Sequence, residues 1–88
     1  MKIKKFSLVE LEWVDAQSEL DHMDADRVKS FELVRRKTVG YFILRNKEKV
    51  VITFGLIEFR DGNALLDGAF AFPRGCVKKV TCLKEDER

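Results

Sequence analysis

Eighty-eight residues, 45% hydrophobic and 36% charged, make one small globular domain and exclude a disordered or low-complexity chain. Seventeen basic against fifteen acidic side chains leave a net charge of +2, which neither demands nor excludes a nucleic-acid partner. No apolar run approaches a membrane span, and the opening MKIKKFSLVELEW carries acids inside its apolar part, unlike a signal peptide.

Within Lys2–Asp15, Val9, Leu11 and Trp13 alternate with Glu10 and Glu12, the period of a first strand with one face inward and one wet. Trp13, the only tryptophan, reads as a core anchor whose indole N–H finds a nearby acceptor. Ala16–Lys37 is polar and acidic, with apolar points at Leu20, Met23, Val28 and Phe31. It reads as a long connection holding a short helix or 3₁₀ turn, capped by Ser18 or Asp24. Its acids Asp15, Glu19, Asp21, Asp24 and Asp26 lack the spacing of a calcium loop, so they read as a solvated face. Arg35, Arg36 and Lys37 then form a basic cluster at the head of the next strand.

Thr38–Phe54 is the centre of the chain: two apolar arms joined by a charged reversal at Arg45–Lys49. Val39, Tyr41 and Ile43 in one arm and Val50, Ile52 and Phe54 in the other are expected to face inward, and Gly40 marks a bulge or a close backbone approach. Asp61–Gly62–Asn63 and Asp67–Gly68 are turn signals. Phe70 and Phe72 share one face of a short strand that Pro73–Arg74–Gly75 breaks, and Cys76–Leu83 follows as the last strand. Strands are therefore expected near 6–14, 32–45, 49–59, 64–72 and 76–83, with residues 1–83 as one β domain and 84–88 as a charged, fraying tail. The expected core is Val9, Leu11, Trp13, Val39, Tyr41, Ile43, Val50, Ile52, Phe54, Phe70, Phe72, Val77 and Val80.

Cys76 and Cys82, six residues apart in one strand, lie beyond disulfide reach and read as free thiols, which suits a reducing cytoplasm. With His22 as the only histidine they make no zinc site, and no cofactor is expected. No nucleophile elbow, metal-ligand set or phosphate loop is present in the sequence. The one catalytic alternative is Cys76, set between Arg74 and Lys78 with His22 as a base; a cysteine in an apolar strand more often serves packing, so no enzyme is expected.

The five short strands and the segment FPRGCVKKV resemble an SH3-like small β-barrel, in which a 3₁₀ turn separates the last two strands. Trp13–Val14–Asp15, Val39–Gly40–Tyr41 and Phe72–Pro73–Arg74–Gly75–Cys76–Val77 together are similar to small uncharacterised proteins encoded by phages and prophages. That resemblance implies an all-β, five-stranded barrel; the alternative is an α+β fold with a longer helix over Asp21–Glu32 packed across the sheet. It also implies an accessory protein acting on a protein partner.

The expected function is thus a non-catalytic protein-binding or assembly module. The alternative is an Sm-like or SH3-like protein that binds RNA or single-stranded nucleic acid. The expected binding surface is Tyr41, Phe59 and the basic groups Arg35, Arg36, Lys37, Arg45, Lys47 and Lys49. A membrane partner is not expected, and homo-oligomerisation is left open.

Overall fold

A computed structural model of the chain describes residues 2–16 and 22–87. Seven strands alternate along it: β1 (Leu8–Asp15), β2 (Val34–Arg45), β3 (Lys49–Thr53), β4 (Leu56–Glu58), β5 (Ala64–Leu66), β6 (Phe70–Pro73) and β7 (Val77–Lys84). A five-residue helix, α1 (Ala25–Lys29), precedes β2, and a 3₁₀ turn over Arg74–Cys76 joins β6 to β7. Five strands form an antiparallel sheet in the order β6-β3-β2-β1-β7, and β4 and β5 pair separately as a hairpin.

All-β is the correct class, and three finer expectations are corrected. The sheet does not close: β6 and β7 are its two edges, linked by the 3₁₀ turn and not by a ladder among the described residues. The strand expected over 49–59 breaks at Phe54–Gly55, and the one over 64–72 breaks at Asp67–Ala69. Thr53 accounts for both breaks at once, because its buried hydroxyl donates its one proton into a cluster of three carbonyls, nearest to that of Gly68 with those of Gly55 and Asp67 within 3.4 Å, and pins the hairpin base there. The α+β alternative also fails over the described part of its range. Asp24 caps α1 by accepting from the Arg27 amide at 2.8 Å, but the helix buries no residue and covers no sheet. Ser18, Glu19, Leu20 and Asp21 lie outside the described residues.

The core is one face of the sheet. Directly opposed residues of an antiparallel pair share a face, so the pairing of Val9 with Gly40, Leu11 with Thr38 and Trp13 with Arg36 aligns these six. Val50 and Ile52 of β3 face Phe72 and Phe70 of β6 in the same way. Val9, Leu11, Phe42, Val50, Ile52 and Phe72 are buried, with Trp13, Val77 and Val80 packed against them. Each full burial contributes about 2 kcal/mol. Trp13 and Phe72 stand on strands three places apart, a spacing of about 14 Å in a flat sheet, yet their ring centroids are 5.0 Å apart. The sheet is curled tightly enough for its concave face to meet itself.

The expected inward phase of β2 is inverted over Val39–Ile43. Phe42 is 6% exposed and Gly40 is buried, whereas Val39 is 45% exposed and Tyr41 and Ile43 are half-buried. Both phases carry apolar side chains, so periodicity alone could not choose between them. Gly40 decides it. A Cβ there would lie 2.8 Å from the Thr53 carbonyl oxygen and 2.9 Å from Ile52 Cδ1, so only a hydrogen lets β3 close over this point. A register shift between Phe42 and Leu44 then absorbs the extra residue.

The last strand runs to Lys84, and the Asp86 amide donates to the buried Ser7 hydroxyl at 3.0 Å.

Candidate functional site

Beyond Gly40 and Thr53 the sheet divides. β2 pairs with β3 only from Tyr41 onward, whereas with β1 it pairs all the way to Val34. One limb is thus the β1–β2 ribbon, ending at Asp15 and Val34; the other is the β4–β5 hairpin. The Cα radius of gyration of 16.8 Å, against about 12 Å for a compact chain of this length, reflects these diverging limbs.

Between the β1–β2 ribbon and the residues where the chain leaves β3 and enters β6, Phe54 and Phe70, lies an open groove of about 620 Å³. Its apolar floor is a run of rings in contact: Trp13 meets Phe72 edge-on at 5.0 Å, Phe72 stacks on Phe70 at 5.7 Å, and Phe70 meets Phe54 edge-on at 5.4 Å. Phe54 and Phe70 were expected in the core; they are 49% and 53% exposed because the chain leaves the sheet at Phe54 and re-enters it at Phe70. Arg35, Arg36 and Lys37 rim the groove, with Asp15 as its one acid. Arg36 ion-pairs with Asp15 at 3.0 Å and lies 5.9 Å from the centroid of the Trp13 ring, while Lys37 reaches Glu12 at 3.6 Å across the ladder. These pairs are more than a third exposed and contribute about 0.5 kcal/mol each.

The second candidate surface is the hairpin itself. Leu56 opposes Leu66 on one of its faces and Ile57 opposes Leu65 on the other. The first face leans toward the body of the protein, where Leu56 and Glu58 share a recess of about 240 Å³ with Tyr41 and Leu8. On the second, Ile57, Leu65 and the tip residue Phe59 are exposed. The tip is a tight turn: Gly62 takes φ +90°, and Asp61 accepts from both the backbone and side-chain amides of Asn63.

The expected surface residues are therefore dispersed. Arg35, Arg36 and Lys37 belong to the groove, whereas Arg45, Lys47 and Lys49 lie at the other end of β2, about ten strand residues or 33 Å of contour away. The Arg45–Lys49 reversal is held by Asn46, whose side chain accepts from the Glu48 and Lys49 amides, and by Arg74 donating to the Asn46 carbonyl. Tyr41 is half-buried in the recess behind the hairpin, and Phe59 is on the hairpin tip. Trp13, Phe54 and Phe70 were not expected at a surface. The signal that marks Phe54 and Phe70 is the pair of breaks at Phe54–Gly55 and Asp67–Gly68, which place these rings where the chain leaves and re-enters the sheet; nothing of the kind marks Trp13.

Cys76 ends the 3₁₀ turn and does not begin the last strand as expected; it and Cys82 are free and half-buried. Among the described residues no group of three or more His, Cys, Asp or Glu side chains is set to hold a metal ion, and no helix is long and apolar enough to cross a membrane. Comparison of the chain with protein-family models, with curated proteins and with solved structures gives no match.

Proposed function

We propose that the protein is a non-catalytic protein-binding or assembly module on an SH3-like plan, of the accessory kind its phage-like motifs suggest. The observation that carries this reading is the concentration of exposed large apolar side chains on the hairpin and at its base, including Ile57, Phe59, Leu65, Leu66, Phe54 and Phe70. Large apolar side chains left exposed in such number on one small element mark interaction sites. The SH3-like plan is supported by the strand order β6-β3-β2-β1-β7 and by the 3₁₀ turn between the last two strands. The test is affinity capture from the producing cell with the wild-type chain and with Leu65→Lys, whose side chain is 58% exposed in the wild type. A partner held by the wild type and lost by the variant supports the reading; identical recovery by both removes it.

A second reading, binding of single-stranded nucleic acid, is favoured by the run of ring contacts beside Arg36, since bases stack on aromatic faces and guanidinium planes. Its test is a salt-dependent shift with single-stranded oligonucleotides, lost in Phe70→Ala.

A further inference from the structure

The hairpin and the groove are complementary, and we infer that the ligand of the groove is the β4–β5 hairpin of a second copy of this chain, giving head-to-tail association. The inference rests on the binding-module reading and names its partner. Three observations carry it.

An isolated two-stranded hairpin is marginally stable in water and needs a third strand or a packed face. Here β4 and β5 pair only with each other, and the Ile57–Leu65 face is bare. The groove offers what that face lacks. Its floor is aromatic, and along its wall β2 from Val34 to Lys37 has, among the described residues, a strand partner on the β1 side alone. An open backbone edge beside an apolar floor accepts an added strand, with main-chain hydrogen bonds setting the register and side-chain contacts the selectivity.

Charge then selects the occupant. On the groove rim Arg36 is paired with Asp15 and Lys37 with Glu12, which leaves Arg35 as the excess positive charge. The hairpin holds Glu58 and Asp61 against Arg60, with Asp67 just past its base, an excess of acid. Opposite patterns of this kind steer association and penalise the wrong register. The two surfaces are different patches of one molecule, so the contact is heterologous: each copy keeps a free hairpin at one end and a free groove at the other.

The experiment is molar mass in solution by sedimentation or light scattering, from micromolar to millimolar protein, at low and at high salt. The wild type is expected to exceed the monomer mass with rising concentration, and to fall back toward it at high salt as the rim charges are screened. Leu65→Lys disables the hairpin, and Phe70→Asp disables the groove by setting a carboxylate against the acidic arm. Each alone should remain monomeric, while an equimolar mixture should form dimers and stop there, because each variant keeps the surface the other has lost. Thermal melts check that both variants fold. Arg35→Glu, an exposed change away from the core, should weaken wild-type association at least tenfold even if Phe70→Asp proves unstable.

A wild type that stays monomeric throughout overturns the inference, as does association that Leu65→Lys and Arg35→Glu leave unchanged. A wild type that dimerises while the mixture stays monomeric also overturns it, since that is hairpin meeting hairpin. If the wild type is monomeric yet captures a partner that Leu65→Lys loses, self-association is wrong and the binding reading survives. If neither occurs, both fall.

Discussion

Trp13 joins the core to the groove. Its ring packs edge-on against Phe72, its indole N–H donates to Thr38 Oγ1 at 2.9 Å, and its outer side looks toward Arg36. Trp13→Phe keeps most of the packing and loses the hydrogen bond, so it should cost about 1 kcal/mol. Trp13→Ala opens a cavity under Phe72 and should cost about 3 kcal/mol. Denaturant melts of the two variants, read as midpoints at constant slope, check that ordering. Gly40→Ala is the sharper substitution. Its methyl would meet backbone at the Thr53 carbonyl, which cannot swing aside as a side-chain end can. A loss of about 2 kcal/mol is expected, in the range of overpacked cores. An unchanged midpoint would mean that β2 and β3 separate at this point more easily than their pairing implies.

At the level of elements, the hairpin and α1 are the weakly held parts. Neither contributes a residue to the buried core, whereas every strand of the large sheet except β7, which packs against it through Val77 and Val80, does. In monomeric protein, amides of Leu56–Leu66 should therefore exchange with solvent far faster than those of Val9, Leu11 and Ile52, by at least a hundredfold in protection. Replacing Leu56–Leu66 with a short glycine-containing turn should leave the melting temperature within a few degrees of wild type. The legibility of the sequence follows the same division. Strands with one strictly apolar face, such as β1 with Val9 and Leu11, were readable because burial and period coincide. β2 was readable as a strand but not in phase, because Val39, Tyr41 and Ile43 compete with Phe42 and Leu44, and a glycine contact supplied by β3 breaks the tie. The aromatic groove was not read as a surface, although the break at Asp67–Gly68 was seen. Phe54 and Phe70 have the composition of core residues, and only the separation of the hairpin from β3 and β6 leaves them half-exposed. The basic cluster at Arg35–Lys37 was visible, but its position opposite those rings depends on the curl of the whole sheet.

For the whole molecule, the strand order carries a consequence for how the chain is made. β1 precedes every other strand in the sequence, yet it sits inside the sheet between β2 and β7, and Val9 finds its second neighbour only in Cys82. Nearly the full length of the chain must close before that ladder forms, a topology that puts refolding in the millisecond-to-second range and not in microseconds. Stopped-flow refolding monitored by Trp13 fluorescence checks this, because the indole moves from water to the Phe72 ring as the sheet curls. Until β7 arrives, the backbone edge of β1 and the apolar row behind it stay open, the condition under which strands pair with the wrong chain. A chain ending at Pro73 keeps six of the seven strands, yet it should collect in the insoluble fraction, and a synthetic Val77–Lys84 peptide added during refolding should rescue part of it. During synthesis the same edge stays unprotected until β7 has been made, so occupancy by a nascent-chain chaperone should persist until that strand emerges.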